Sequence, residues 1–406
     1  MTSRFRANLH TAIVRASVSS PRLPTVACSV FATLGWLAGC DSKPIITGAP
    51  SDGASGAGAT SDAGASGQAG AQPEPLFEGG ITVLQRAVLS SDAGAEFQQQ
   101  ASVSVDFGHE PVARGTLRIQ LESPCYPFEG WKTQRTTPGH FWPDACDAFD
   151  RLFLISLDGE DGGVERGGTP GIELARAITP FGGPLAFEVD VTDVVNGLPG
   201  EHTLRIEIPT YSDPEGKVSG SAGSWLVSAN VQLVPGPPPR DVLAVVPLAF
   251  SAQTVATPEP FELRVPEGAT SARLEYRATG HGQGVGARPD CIGPAEEFCH
   301  RTHVLSLDGT ELGTLDPWRV DCDQLCTLTV NDSGNGIEQY CLENPCGAIQ
   351  SVRAPRANWC PGSVTPPFVL ENQELAEPGT HQLSLAMNRV AEGGSWLVSA
   401  TFFAFR

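Results

Sequence analysis

The chain has 406 residues, with 46 acidic against 26 basic side chains and a formal net charge of −20. An excess of that size argues against a nucleic-acid or anionic-membrane surface and for a solvated acidic exterior. The length is enough for two hydrophobic cores of ordinary domain size, even after an unusual N-terminal region is set aside.

Arg4, Arg6, Arg15 and Arg22 precede an apolar run from Val26 to Ala38, which ends in Leu37-Ala38-Gly39-Cys40. This is the layout of a secretory signal over residues 1–39, and the apolar run is too short to span a bilayer. The small residues before Cys40 resemble the lipobox of bacterial lipoproteins, which implies that Cys40 becomes a lipidated N-terminus. The alternative is an ordinary signal peptide with a chance cysteine. The lipoprotein reading makes the mature protein exported and anchored to a cell-envelope membrane or the cell surface, through more than one acyl chain. Residues 40–76 then form a disordered tether, because TGAPSDGASGAGATSDAGASGQAGAQPEP has no large apolar side chain to offset its ordering entropy.

From residue 80 onward, short β-branched and aromatic runs alternate with Gly, Pro and Asp turns, as in GTLRIQLES, RLFLISLDG and LAFEVDVTDVV. No helical period is sustained, so the expectation is an all-β protein of sandwich type. The runs also repeat in order. LISLDG (154–159) returns as VLSLDG (304–309), PGEHTLRI (199–206) as PGTHQLSL (378–385), and GSWLVSA (223–229) again at 394–400. Such echoes indicate a duplicated domain. The proline-rich VPGPPPR (234–240) reads as the join. The expected organisation is an N-terminal jelly roll over 77–237 and a C-terminal one over 238–406, two eight-stranded antiparallel sandwiches packed side by side. A single large sheet fits less well, because each half carries a full set of strands.

Of the eleven cysteines, Cys28 leaves with the signal and Cys40 takes the lipid, so nine remain. In an oxidising compartment most of them pair and one is left over. Zinc is the rival for the cluster Cys322, Cys326, Cys341, Cys346 and Cys360, but that cluster has no clean pair of CxxC knuckles.

Aligning the halves on SLDG places an acid ahead of the same strand in both: Asp150 in CDAFDR and Glu297 in EEFCHRTH. If the halves pack side by side, these strand entrances meet at the seam, and clefts between domains are where ligands commonly bind. A carboxylate pair there is simple equipment for hydrolysis, one acid activating water and the other holding it or protonating the leaving group. Neighbouring Arg151, Arg301 and Arg356 would keep one acid ionised or stabilise an oxyanion. The bland reading is a pair of solvated turn acids. Of the two acids before Cys299, Glu297 is expected in the site and Glu296 in solvent.

The segments ATGHGQG (278–284), EEFCHRTH (296–303) and RANWCPG (356–362) resemble the second domain of the bacterial peptide-N-glycosidase F family, and CDAFDR, RAITPFGG (176–183) and FEVDVTD (187–193) resemble its first. The similarity runs from about residue 100 to the C-terminus. It implies the same double jelly roll, and hydrolysis of the amide between an asparagine side chain and the first N-acetylglucosamine of an N-glycan, with neither metal nor cofactor. By position, Asp150 matches the essential acid, Glu297 the second acid that holds water, and Arg356 an arginine of the site, with Arg151 and Trp359 as neighbours in the same motifs. The resemblance also implies the bridges Cys125–Cys146 and Cys291–Cys299. The other five cysteines stay unassigned.

The chain departs from the family in several places. The third family acid falls on Pro209, and Glu207, on the same strand face, is the candidate substitute. Family tryptophans fall on Tyr211 and His281, and a histidine on Gln283. The loop from Cys125 to Cys146 is longer and carries Tyr126, Phe128, Trp131, Phe141 and Trp142, either a sugar platform or a loop core. An insertion lies around Thr327 to Tyr340.

The expected partners are N-linked glycoproteins or glycopeptides and, through the lipid, a membrane; no nucleic acid is expected, and the protein is taken as a monomer. The main rival is a non-catalytic glycan-binding lipoprotein on the same fold, which Pro209 favours and the joint presence of Asp150, Glu297 and Arg356 opposes. A copper monooxygenase fits poorly. It needs grouped histidines and a methionine, whereas His300 and His303, three apart in an extended segment, point to opposite faces.

Overall fold

The computed structural model describes residues 76–91, 95, 97–127, 134, 136–159, 170–209, 217–221, 223–282, 290–332 and 337–406, all within one compact unit. Cys40, Tyr211, Gln283, Phe128 and Trp131 lie outside the described residues.

The alternation of side chains predicts most strands and the fold keeps it. Leu263 and Val265 in Phe261–Val265, and Leu383, Leu385 and Met387 in Gly379–Met387, are buried at alternate positions, as half-buried strands require. Two strands break the rule. Ile172–Ile178 is buried at every position, and so is nearly all of Leu152–Leu157. Both faces of Ile172–Ile178 are covered, one by its own core and one by the other half of the molecule.

Four main sheets result. In the first half, one sheet runs Phe97–Gln98, Ile81–Ser90, Ser224–Pro235, Val112–Glu122, Leu185–Asp190, edge to edge. It faces a second sheet ordered Ser363–Val364, Ile172–Ile178, Leu152–Leu157, Glu201–Glu207, Gln100–Asp106. The second half stacks Val242–Gln253, Gly394–Phe405, Ser271–Gly282 and Phe368–Leu370 on Phe261–Val265, Gly379–Met387, His303–Leu307 and Thr310–Leu315. Apart from the two-residue Phe97–Gln98, which pairs in parallel, every ladder is antiparallel. Neighbours distant in sequence are the crossovers of a jelly roll.

The duplication reaches atomic detail. Asp158 and Asp308 both take positive φ, 53° and 50°, at the end of the repeated SLD. Each offers one carboxylate oxygen to a backbone N–H, of Thr203 or Gln382, both at 2.8 Å. The other oxygen meets Nδ1 of His202 or His381, whose Nε2 faces the carbonyl of Leu198 or Glu377. The hydrogen bond to Asp308 raises the pKa of His381. The repeated tryptophans, Trp225 and Trp396, are both fully buried.

Each half has its own hydrophobic core, yet Val245, Phe403 and Phe405 of the second half pack into the first core. The seam is also sewn by backbone. Ser363–Val364 extends the first half's sheet by pairing with Ile178 and Ala177, and the amide N–H of Thr365 donates to the Arg176 carbonyl at 2.8 Å. Among the described residues four disulfides are formed: the two implied by the family resemblance, Cys125–Cys146 and Cys291–Cys299, together with Cys322–Cys360 and Cys326–Cys341. Cys346 is the free thiol among them. The insertion is a hairpin, Leu328–Asp332 with Ile337–Cys341, tied at its base by Cys326–Cys341. Among the described residues no helix is long and apolar enough to cross a membrane.

Candidate active site

Asp150 sits two residues ahead of the buried strand Leu152–Leu157, in a segment with little freedom. Cys146 is bridged to Cys125, and Arg151 exchanges two hydrogen bonds with Thr179: its N–H donates to Oγ1 at 2.8 Å and its carbonyl accepts from the Thr179 N–H at 2.7 Å. The Arg151 guanidinium turns to Asp147, with Nε 3.0 and 3.1 Å from the two carboxylate oxygens. Arg151, expected to bind substrate, thus uses its Nε on a fully buried acid of its own loop. It still acts on Asp150 through its charge. Burial raises the Asp150 pKa, and Arg356 and Arg151 oppose that rise.

Glu297 lies in a single 3₁₀ turn, Glu296–Phe298, closed by the Cys291–Cys299 bridge. Its backbone carbonyl accepts the N–H of Ala357 at 2.8 Å, which ties this turn to the RANWCPG loop. Arg356 Nη1 donates to Glu297 Oε1 at 2.7 Å, while Nη2 donates to the carbonyl and hydroxyl of Ser351, both at 2.9 Å. The guanidinium lies between two rings, 4.7 Å from the centroid of Phe298 and 4.3 Å from that of Trp359. Burial pushes Glu297 up from 4.5 to about 7; Arg356 opposes the rise and Asp150 adds to it. The two acids from opposite halves therefore meet electrostatically, as their places ahead of the repeated strand predict. Two such carboxylates resist double ionisation, so the pair holds a proton to higher pH than either acid alone.

Trp359 stands beside them. Its Nε1 donates to the Gly280 carbonyl at 2.9 Å, and the preceding Asn358, at φ 66°, donates through Nδ2 to the Ala278 carbonyl at 2.8 Å. The imidazole of His281 stacks on the Trp359 ring with centroids 5.7 Å apart and an interplanar angle of 21°. Burial, with the charges of Arg176 and Arg356, pushes the His281 pKa down to about 3, so the ring is neutral. Half-buried acids, a buried guanidinium and a stacked ring pair are suited to activate water against a polar, ring-shaped substrate.

Residues 249–403 match the family described as Peptide-N-glycosidase F, C terminal. In fold the chain is PNGase F-like. PNGF-II is 17% identical with a TM-score of 0.58, over 80% of this chain and 65% of that one, so the chain spans just under two thirds of PNGF-II. PNGase F, a glycosylasparaginase from Flavobacterium meningosepticum, is 18% identical with a TM-score of 0.56, over 80% of this chain and 94% of that one. A peptide-N(4)-(N-acetyl-β-D-glucosaminyl)asparagine amidase is likewise 18% identical, with a TM-score of 0.55 over 80% of this chain and 96% of that one. At such identities the likeness is one of fold. Among curated proteins none matches the chain.

The remaining expected residues of this PNGase F-like chain fall as follows. Glu207 is half-buried at the end of Glu201–Glu207 and accepts a 2.8 Å hydrogen bond from Arg205; it is not among the charges acting on Asp150 or Glu297. Pro209, two residues on, is exposed. In the long loop, Trp142 packs on the Cys125–Cys146 cluster and meets Phe141 edge-on at 4.6 Å, which makes it loop core. His300 is exposed and stacked on Trp318, whereas His303 is buried and bonded to Tyr276 at 2.7 Å, the opposite environments expected of them. A cavity of about 370 Å³ at the seam, lined among others by Arg273, Glu275, Arg277 and Phe403, includes none of the residues around the acid pair. Its arginines already hold Asp193, Glu275 and the carbonyls of Glu173 and Leu174.

One expectation is overturned. Glu296 is not in solvent: it is fully buried, accepting from Arg301 Nε and Nη2 at 2.8 and 3.1 Å, from Trp396 Nε1 at 3.0 Å and from the Ala391 N–H at 3.0 Å. It anchors the turn that presents Glu297. Arg301, expected among the charges of the site, is the fully buried partner of that anchor. Asp147 and Arg176 were missed although both stand in quoted motifs; a charged residue inside a run of apolar β residues, as in IELARAI, was the available signal.

Proposed function

We propose that this chain hydrolyses the amide bond between an asparagine side chain and the first N-acetylglucosamine of N-linked glycoproteins or glycopeptides. The observation that carries the reading is the pairing of Asp150 and Glu297 across the seam, both with raised pKa values and with Arg356 acting on both. In this scheme Asp150 takes a proton from water as its oxygen adds to the amide carbon. The tetrahedral oxyanion forms within reach of the Arg356 charge. Glu297, near its own pKa at neutral pH, holds the water and supplies the proton that leaves with the amide nitrogen. The products are a glycosylamine and an aspartate. His281 flanks the sugar with the buried Trp359 ring behind it, Tyr211 is a further candidate aromatic, and Glu207 is the remaining acid of the expected set. The scheme requires no metal or cofactor.

Export as a monomeric lipoprotein, with Cys40 as the lipidated residue, goes with this reading and rests on the N-terminal sequence. So does the division into domains of 77–237 and 238–406, which rests on the repeats.

The test is incubation with a biantennary N-glycopeptide, read by mass spectrometry for loss of the glycan with conversion of Asn to Asp. Release that falls by about 10²–10⁴-fold in Asp150→Asn, with the fold retained, supports the amidase. Binding of the glycopeptide with no release by the folded wild type overturns it in favour of a binding protein, with Pro209 as the lesion.

A further inference from the structure

The ring that stacks on Trp359 is held from the opposite half of the molecule. Arg176, on the fully buried strand Ile172–Ile178, is locked by Glu173, whose two carboxylate oxygens each accept a 2.7 Å hydrogen bond from it. Its remaining terminal nitrogen, Nη1, crosses the seam and donates to the Leu397 carbonyl at 2.7 Å and to Thr279 Oγ1 at 3.0 Å. Thr279 and His281 lie on one face of the strand Ser271–Gly282, two residues apart. His281 Nε2 is 2.7 Å from the same Thr279 oxygen.

The direction of that last bond follows from counting protons. Thr279 is fully buried, and its hydroxyl has one proton to donate. Among the described residues its only hydrogen-bond acceptor is His281 Nε2. Were Nε2 protonated, the Thr279 oxygen would receive two donors and its own buried O–H would be left without an acceptor. The threonine therefore donates, Nε2 accepts, and the neutral ring carries its proton on Nδ1. Among the described residues Nδ1 has no hydrogen-bond partner. The depressed pKa of His281 agrees with an uncharged ring.

We propose that Arg176 and Thr279 are positioning residues that fix His281 as an Nδ1–H donor, and that His281 thereby selects an uncharged acceptor oxygen, hydroxyl or amide carbonyl, on the sugar bound beside the acid pair. The recognition half of this inference rests on the proposed function; the tautomer does not. A neutral N–H donor beside Arg356 rejects an ammonium group at the same place on the sugar, so the selectivity has a sign.

The test uses the full-length protein labelled with ¹⁵N. Two-bond proton–nitrogen spectra report which ring nitrogen is protonated, with the His281 signal identified by its loss in His281→Asn. An Nδ1–H ring that does not titrate between about pH 5.5 and 8 is expected; an Nε2–H ring, or one that titrates, overturns the proposal. Thr279→Val keeps the shape but removes the hydroxyl, so the Nε2–H form appears, and Thr279→Ser restores the wild-type spectrum.

Calorimetry with the biantennary N-glycopeptide should show affinity about tenfold weaker for Thr279→Val and recovered by Thr279→Ser. Where release occurs, kcat stays within about twofold of wild type, because the hydroxyl does not touch the reacting atoms. Equal affinity of wild type and Thr279→Val overturns the recognition half. If the wild type releases no glycan, the amidase reading fails by itself, and the tautomer and the affinities still decide this one.

Discussion

Glu297→Gln should make the protein more stable at alkaline pH while disabling it. The Glu297 pKa lies at about 7 in the fold against 4.5 without it. At about 1.4 kcal/mol per pH unit this amounts to roughly 3 kcal/mol against ionisation in the native state. Between those two values the folded protein keeps a proton that the unfolded chain has released. Stability therefore falls as pH rises through this window, and the whole cost is present above about pH 7. Glutamine has no proton to lose and retains an oxygen for the Arg356 hydrogen bond. At about pH 4 both side chains are neutral, so any difference there reports shape alone. By about pH 8.5 the variant should have gained roughly 3 kcal/mol on wild type relative to that baseline. Relief of the repulsion with Asp150 acts in the same direction. Urea unfolding followed by tryptophan fluorescence at a series of pH values measures this, and groups common to both proteins cancel. A difference that does not vary with pH, or a wild type that gains with pH, would refute the argument. It would mean that Arg356 outweighs burial, that Glu297 is an ordinary ionised partner, and that it has no proton to give near neutrality. The same variant should lose about 10²–10⁴-fold in glycan release; a loss of function joined to a gain in stability marks an acid placed for chemistry.

Glu296→Ala should behave oppositely to its neighbour's substitution. It removes the buried acceptor shared by the Arg301 guanidinium, Trp396 Nε1 and the Ala391 N–H, leaving Asp290 as the remaining acid on Arg301, and should cost about 3–5 kcal/mol, seen as a lowered urea midpoint or failure to fold. His381, whose pKa Asp308 raises, contributes stability that is fully present below about pH 6.5 and lost as pH climbs through the higher folded value. His381→Gln should therefore be less stable than wild type at acidic pH and converge with it at alkaline pH; a constant difference would show that the imidazole matters only by packing. Burial and the Asp147 charge push the Cys346 thiol up. Iodoacetamide should therefore leave Cys346 unmodified in the native protein and alkylate it once urea opens the fold without reductant, as peptide mass mapping would show. Rapid native labelling would place the thiol in solvent.

What a sequence exposes about a site depends on whether chemistry or packing put a residue there. The strands were legible because a half-buried strand must alternate, and the duplication because the SLD turn, the histidine-bearing strand and the buried tryptophan recur in the same order. Asp150 and Glu297 were legible because they precede the same strand in each copy, so bringing the two halves together brings the acids together.

Glu296 was misread because adjacency along the chain says nothing about direction. In the 3₁₀ turn, successive side chains leave on different sides, and the one facing Arg301, Trp396 and the Ala391 amide became structural. Arg151 stands beside Asp150 in the motif and yet turns to Asp147, whose burial without that guanidinium would be costly. Arg176 and Thr279 could not be read as partners at all. They sit 103 residues apart, and only the packing of one half on the other carries a guanidinium from the first to a hydroxyl in the second. Acids that precede the same strand in both copies can be found from pattern and spacing. The groups that aim them are set by which buried donor finds which buried acceptor, and a single sequence states that only where a charge interrupts an apolar run, as Glu173 and Arg176 do in IELARAI.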